Sequence, residues 1–233
     1  MRSLPINLDF VLCIDVSENM KNHISSVKES IGRLYSDICE SMEKRGKEIH
    51  QCRMRILTFH SSAELCRDFV SATDFFSLPE EREIFSKYVQ DIEVNQNSNV
   101  LQNGLECLAD AIRSRWNNDL HRKRQIIIVW SNAGTCDFND CNRMQWRDAG
   151  APDDFDELTA LWVQHLNWRF NKLLVLYAPD APDWNRLFDE WDSVVHFTSA
   201  AGQGLGKTAY QEILDFALHS DLVLEVEQDH ADR

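Results

Sequence analysis

Three segments of this chain are apolar at nearly every consecutive position: Leu8 to Ile14 (LDFVLCI), Gln125 to Trp130 (QIIIVW) and Lys172 to Tyr177 (KLLVLY). A strand points successive side chains to opposite faces, so an unbroken apolar run means that both faces are covered. Runs this short are strands, since a membrane helix needs about 20 apolar residues. Between them lie segments of helical spacing. Met20 to Arg45 places Ile24, Val27, Ile31, Leu34, Tyr35, Ile38 and Met42 on one face and stops at Gly46. Glu80 to Ile92 enters through Pro79, a residue suited to a first helical turn. Val100 to Trp116 aligns Leu101, Leu105, Leu108, Ala109 and Ile112, and Phe155 to Asn167, Trp184 to Trp191 and Thr208 to His219 read as further helices. Cys52 to Phe59 and Ser193 to Phe197 read as strands, with Glu64 to Phe69 pairing beside the first of these. The alternation predicts an α/β domain, a doubly wound and mainly parallel sheet with helices on both faces. No Pro-, Gly- or Ser-rich linker divides the chain. Residues 1–220 are expected to form one domain and residues 221–233, ending in EQDHADR, a polar tail.

Charge and cysteine usage narrow the function classes. A net charge of −14 opposes binding to a phosphate backbone, which is held by clustered Lys and Arg. The one basic run, His121 to Arg124, is short and read as a solvated sheet edge. Met1 to Asn7 carries one Arg and no long apolar stretch, so the sequence predicts neither a signal peptide nor a membrane anchor, and a cytoplasmic location. Seven cysteines without a framework spacing agree. Cys13, Cys52 and Cys107 fall in apolar segments and are expected as reduced core thiols. Cys136 and Cys141 share a loop with Asp137 and Asp140, but lack the second ligand pair that zinc requires.

In an open α/β sheet, ligands bind outside the carboxyl ends of the strands, where strand order reverses. Three loops rich in side-chain oxygens belong there. They are Asp15-Val16-Ser17-Glu18-Asn19-Met20, Asn95-Gln96-Asn97-Ser98-Asn99 and Ser131-Asn132-Ala133-Gly134. A plainer reading is open for the same residues. Ser17 or Asn19 would cap a helix beginning at Met20, and Asp15 would favour its N-terminus through the dipole.

LDFVLCIDVSENM resembles the opening of von Willebrand factor A domains, whose first strand ends in Asp-x-Ser-x-Ser, part of a metal-ion-dependent adhesion site. The resemblance, to a bacterial branch, runs from about Leu8 to about Ser220 and is carried further by SVKESIGRLYSDI, CRMRILTF, DFFSLPEEREIFSKYVQDIEV, LQNGLECLADAIRSRW, DDFDELTALW, KLLVLYAPDAPDW and FDEWDSVVHF. It implies a metal site at Asp15, Ser17, Asn19, Asn99 and Asn132, altered from the family pattern. Asn19 stands where a second Ser is usual, Asn99 where Thr or Asp is usual, and Asn132 where Asp is usual. Magnesium is held by carboxylates and water. Asp15 is the single anion among these positions, so magnesium is expected to bind weakly or not at all. The implied function is that of a non-catalytic adaptor in a signalling, stress or defence system. The implied partner is another protein such as a kinase, a phosphatase or a ring ATPase, with neither nucleic acid nor membrane involved.

Other motifs imitate those of enzymes. Residues 201–208, AGQGLGKT, imitate a phosphate-binding loop with Lys207 and Thr208 in place, but Ala201 replaces the leading Gly and one helix remains downstream. A nucleotide-binding or metal-dependent enzyme built on this turn or on Asp15 is the alternative function. Ser17 has no G-x-S-x-G context. His60 reads as a turn residue, and Asp153, Asp154, Asp156 and Glu157 as favourable charges at a helix start. Trp146, Trp162, Trp168, Trp184 and Trp191 read as core or interface anchors.

Overall fold

The strand Ile6–Asp15 is buried at every one of its 10 positions and lies at the centre of a sheet. The computed structural model describes residues 5–61, 69–96, 101–117, 123–136, 152–165 and 172–198. In chain order its elements are β1 (Ile6–Asp15), a 3-10 turn (Glu18–Met20), α1 (Ile24–Lys44), β2 (Ile49–Phe59), β3 (Val70–Ala72), β4 (Phe76–Leu78), α2 (Arg82–Asp91), β5 (Leu101–Gln102), α3 (Gly104–Ile112), β6 (Lys123–Trp130), β7 (Gly134–Thr135), α4 (Phe155–His165), β8 (Lys172–Tyr177), α5 (Pro182–Glu190) and β9 (Val194–Phe197).

The strand order is β3-β2-β1-β6-β8-β9, with β4 also pairing with β2. The ladders from β2 to β9 are parallel, and β3 and β4 run antiparallel to β2. The period of two in β1 sorts its residues between two cores. Leu8, Phe10, Leu12 and Ile14 pack with Ile31, Leu34 and Ile38 of α1 and Phe85 and Val89 of α2. Val11 and Cys13 pack with Leu105 and Leu108 of α3, Leu158 and Trp162 of α4, and Trp184 of α5. The described residues therefore form an α/β domain with a mainly parallel sheet covered on both faces. Among them, no helix is long and apolar enough to cross a membrane.

Some elements differ from the sequence reading. The first long helix starts at Ile24, because Glu18–Met20 forms a tighter 3-10 turn that drives fully buried Met20 into the core. Residues 64–68 lie outside the described residues, and the segments beside β2 are instead Val70–Ala72 and Phe76–Leu78. The expected helix from Val100 begins at Gly104, because Leu101 and Gln102 pair with Gly134 and Thr135 as a separate two-strand ladder. Lys123 and Arg124 are not a solvated edge. They open β6, and Arg124 is buried with its guanidinium bonded to the Lys123 carbonyl at 2.9 Å. Cys13, Cys52 and Cys107 are buried free thiols, as expected. The Thr208 to His219 helix and the tail lie outside the described residues.

Candidate site at the carboxyl edge of the sheet

Strand order reverses at β1, with β2 on one side and β6 on the other, and open α/β sheets bind their ligands beyond the strand ends at such a point. The parallel register pairs Ile14 with Trp130. The residues that follow, Asp15 and Ser131, therefore meet at the edge. Asp15 is fully buried. Its Oδ1 accepts the Ser17 backbone N–H at 2.8 Å, and its Oδ2 accepts the Ser131 hydroxyl at 2.9 Å. Burial holds the Asp15 carboxyl above the usual carboxylate range, against hydrogen bonds from Ser17, Ser131 and the Asn132 backbone that favour the anion. Desolvation outweighs them, which is the expected order for a carboxylate closed off from water.

Ser17 is also fully buried, and its Oγ completes no well-formed hydrogen bond, although it lies close enough to Asp15 to favour the charged carboxylate. A buried hydroxyl left in that condition costs about 1–3 kcal/mol. Neither Ser17 nor His23, the residues preceding the 3-10 turn and α1, makes a side-chain capping bond. Ser17 therefore does not act through a side-chain cap, and Asn19 lies inside the 3-10 turn, five residues before α1. Asn19 is exposed, and its carbonyl accepts the Asn132 side-chain amide at 3.1 Å. The Asn95 backbone N–H donates to the Val16 carbonyl at 2.6 Å, joining the middle loop to the first. Asn99 lies outside the described residues. Of the expected set, Asp15, Ser17, Asn19 and Asn132 thus belong to two loops tied to each other.

Sequence reasoning passed over two residues that build this site. Ser131, noted as part of its loop, supplies the side-chain bond to Asp15, whereas the Asn132 side chain ties the loops. Its place became apparent only with the β1–β6 register. Trp184, read as a core anchor, donates from Nε1 to the Ala133 carbonyl at 3.0 Å and so holds the third loop from α5. Gly104 permits this, because a Cβ there would lie 2.6 Å from Trp184 Cη2. Thr135 Oγ1 donates to Asp183 Oδ2 at 3.2 Å, and the Ser131 N–H donates to the Tyr177 carbonyl at 2.9 Å. Below the site, Trp130 stacks on Tyr177 at 5.9 Å and Tyr177 on Phe197 at 5.1 Å, an aromatic row across three strand ends.

The donor set offers oxygens but little charge. Among the described residues no group of three or more His, Cys, Asp or Glu side chains is gathered to hold a metal ion. Asp15 and Ser17 are the residues that would offer oxygens to one, and the Ser17 hydroxyl is the atom such an ion would satisfy. One carboxylate, already engaged at both oxygens, makes a weak site for magnesium.

The remaining candidates separate from this edge. Asp154 Oδ1 accepts the Glu157 N–H at 2.9 Å, and Glu157 Oε2 accepts the Asp153 N–H at 2.8 Å, a reciprocal cap at the start of α4. The His60 ring bonds the Ser61 carbonyl through Nδ1 at 2.8 Å. Trp162, Trp184 and Trp191 are buried. Residues 201–208 with Lys207 and Thr208, and Asp137, Asp140, Cys141, Trp146 and Trp168, lie outside the described residues.

No protein-family model matches the chain, and no curated protein matches its sequence. Among solved structures it is similar to the open conformation of the pilus adhesin SpaC from Lactobacillus rhamnosus GG. The TM-score is 0.40 and the identity 11%, over 57% of this chain and 15% of the adhesin. It is also similar to proximal thread matrix protein 1 of the mussel byssus, solved with a zinc-occupied MIDAS motif. There the TM-score is 0.49 and the identity 8%, over 93% of this chain and 47% of the byssus protein. This chain thus spans less than half the length of either protein.

Proposed function

We propose that this chain is a non-catalytic binding domain of the von Willebrand factor A type, which docks another protein at the carboxyl edge of its sheet, over Asp15, Ser17 and Asn132. The observation that carries the reading is the Ser17 hydroxyl, buried without a well-formed hydrogen bond beside the buried Asp15 carboxylate at the point where strand order reverses. Asp15 is held at both oxygens, which suits a fixed anchor better than a proton shuttle. Leu101, 45% exposed, is paired with Gly134 and gives the same edge an apolar rim. A divalent ion at Asp15 and Ser17 would act as a Lewis acid that accepts a further oxygen ligand from the partner. The family resemblance favours a cytoplasmic bacterial setting and a kinase, a phosphatase or a ring ATPase as that partner.

Affinity capture with the wild-type chain, Asn132→Arg and Leu101→Asp tests the reading. A partner retained by the wild type and lost from both variants, each with an unchanged circular dichroism spectrum, is the expected result. A partner held equally by all three would place the docking surface elsewhere.

A further inference from the structure

A cavity of about 220 Å³ opens on the flank of the sheet, lined by Arg55, Asp74, Phe75, Arg113 and Arg115. Arg55 stands beside Val11 in the β1–β2 ladder, while Phe59 stands beside Asp15. Four residues of strand place the cavity roughly 13 Å below the carboxyl edge, at about 3.3 Å per residue. Three arginines in one small cavity are notable on a chain with 24 basic and 38 acidic residues.

The guanidiniums are held in different ways. Arg55 donates from Nε to the Thr73 carbonyl and from Nη1 to Ser114 Oγ, both at 2.7 Å, which fixes the plane of its fork. Its remaining Nη2 edge is not used by any described residue. Arg113 follows the last turn of α3, where a cation is favoured by the helix dipole. Half-buried Asp110 feels both Arg55 and Arg113, and these two oppose the upward push of burial on its carboxyl. Arg115 is exposed, and its guanidinium makes no hydrogen bond or ion pair among the described residues. Asp74, also exposed, is the one anion lining the cavity. The neighbouring Arg53 is already engaged by Asp9 in a two-pronged ion pair and lies 4.5 Å over the Phe75 ring, making a firm wall. Three guanidiniums face two carboxyls here, and the excess charge resides on Arg115.

We propose that this cavity binds a phosphomonoester-type oxyanion, with Arg55 Nη2 and Arg115 as its hydrogen-bonding contacts and Arg113 supplying further positive charge. Planar guanidinium forks match the oxygens of phosphate with paired, charge-assisted hydrogen bonds. A tetrahedral dianion offers oxygens to more than two forks at once, which a planar carboxylate does not. The volume is ample for the anion, and a free small phosphate and a phosphorylated side chain of a partner present the same chemistry to it.

Calorimetric titration at constant ionic strength tests this with three probes: inorganic phosphate, a phosphoserine pentapeptide and its unphosphorylated counterpart. Saturable one-to-one binding of phosphate is expected, weakened at least fivefold by Arg115→Gln with no change in melting temperature. Arg55→Lys, which keeps the charge but loses the fork, is expected to weaken binding as well. A phosphopeptide bound tenfold more tightly than phosphate, with the unphosphorylated peptide silent, supports the site and assigns it to a phosphorylated partner. Equal affinity supports it as a site for a free anion. Absence of saturable heat with both phosphate probes, or binding by Arg115→Gln equal to that of the wild type, overturns the proposal.

Discussion

The Ser131 hydroxyl donates to Asp15 Oδ2 at 2.9 Å, joining residues 116 apart in the chain at the ends of adjacent parallel strands. Hydrogen bonds to charged groups contribute about 1.5–3 kcal/mol when buried. Ser131→Ala should therefore lower unfolding free energy in urea by roughly that amount. In an Asp15→Asn background the same substitution should cost less than half as much, because the charge that strengthens the bond is gone. Equal costs in the two backgrounds would show that the serine acts through packing and not through the carboxylate.

Asn132→Asp introduces a second carboxylate in the loop that follows Ser131, the residue bonded to Asp15. It also replaces the amide that donates to the Asn19 carbonyl by an oxygen that cannot donate when ionised. Without divalent ion, the variant should melt below the wild type through this lost bond and through repulsion from Asp15. Titration with magnesium or manganese should reverse the order and raise the variant by several degrees, while moving the wild type little. A large ion-dependent rise in the wild type would show that one carboxylate suffices. No rise in the variant would show that charge is not what weakens the site.

Two buried thiols give stability a pH dependence. Burial is the largest cause pushing Cys52 up, followed by the nearby Cys39 and Asp9, and burial likewise raises Cys107 beside Cys13. An unfolded cysteine ionises near pH 8.5, roughly, whereas these thiols stay protonated in the fold. Their contribution is thus complete below that value and is lost as pH rises from it toward the folded values. Each thiol should add a downward slope approaching about 1.4 kcal/mol per pH unit above the unfolded value. Denaturant titrations of the wild type and Cys52→Ala between about pH 7.5 and 10 compare slopes, so a constant cavity cost cancels. An unchanged slope in Cys52→Ala would mean that this thiol does not titrate on unfolding.

The layers were legible because burial on both sides leaves continuous apolar runs, as in Ile126 to Trp130, while one-sided helices leave spaced residues such as Ile31, Leu34 and Ile38. Local hydrogen-bond pattern was less legible. A buried Met20 satisfies the spacing of an α-helix and of a 3-10 turn alike, so the start of α1 was read four residues early. The short β5–β7 ladder depends on a tertiary pairing of Leu101 with Gly134 that no local period encodes. At the site, Asp15 and Ser17 stood out by motif. Ser131 and Trp184 did not, because their roles depend on the β1–β6 register and on the approach of α5 to Gly104.

The third loop is closed by residues distant in the chain: Ser131 reaches Asp15, and Trp184 reaches Ala133 from 51 residues downstream. Contacts of such separation contribute only after the entropy of closing the intervening chain has been met. During synthesis, Asp15 emerges long before the residues that will enclose it. Its carboxylate stays hydrated and ordinary until β6 has docked beside β1, and the Ala133 carbonyl is not secured until α5 has joined. The carboxyl edge is therefore complete only when β6 and α5 have both docked, so the binding proposed there would require residues from Asp15 to Trp184 to have come together.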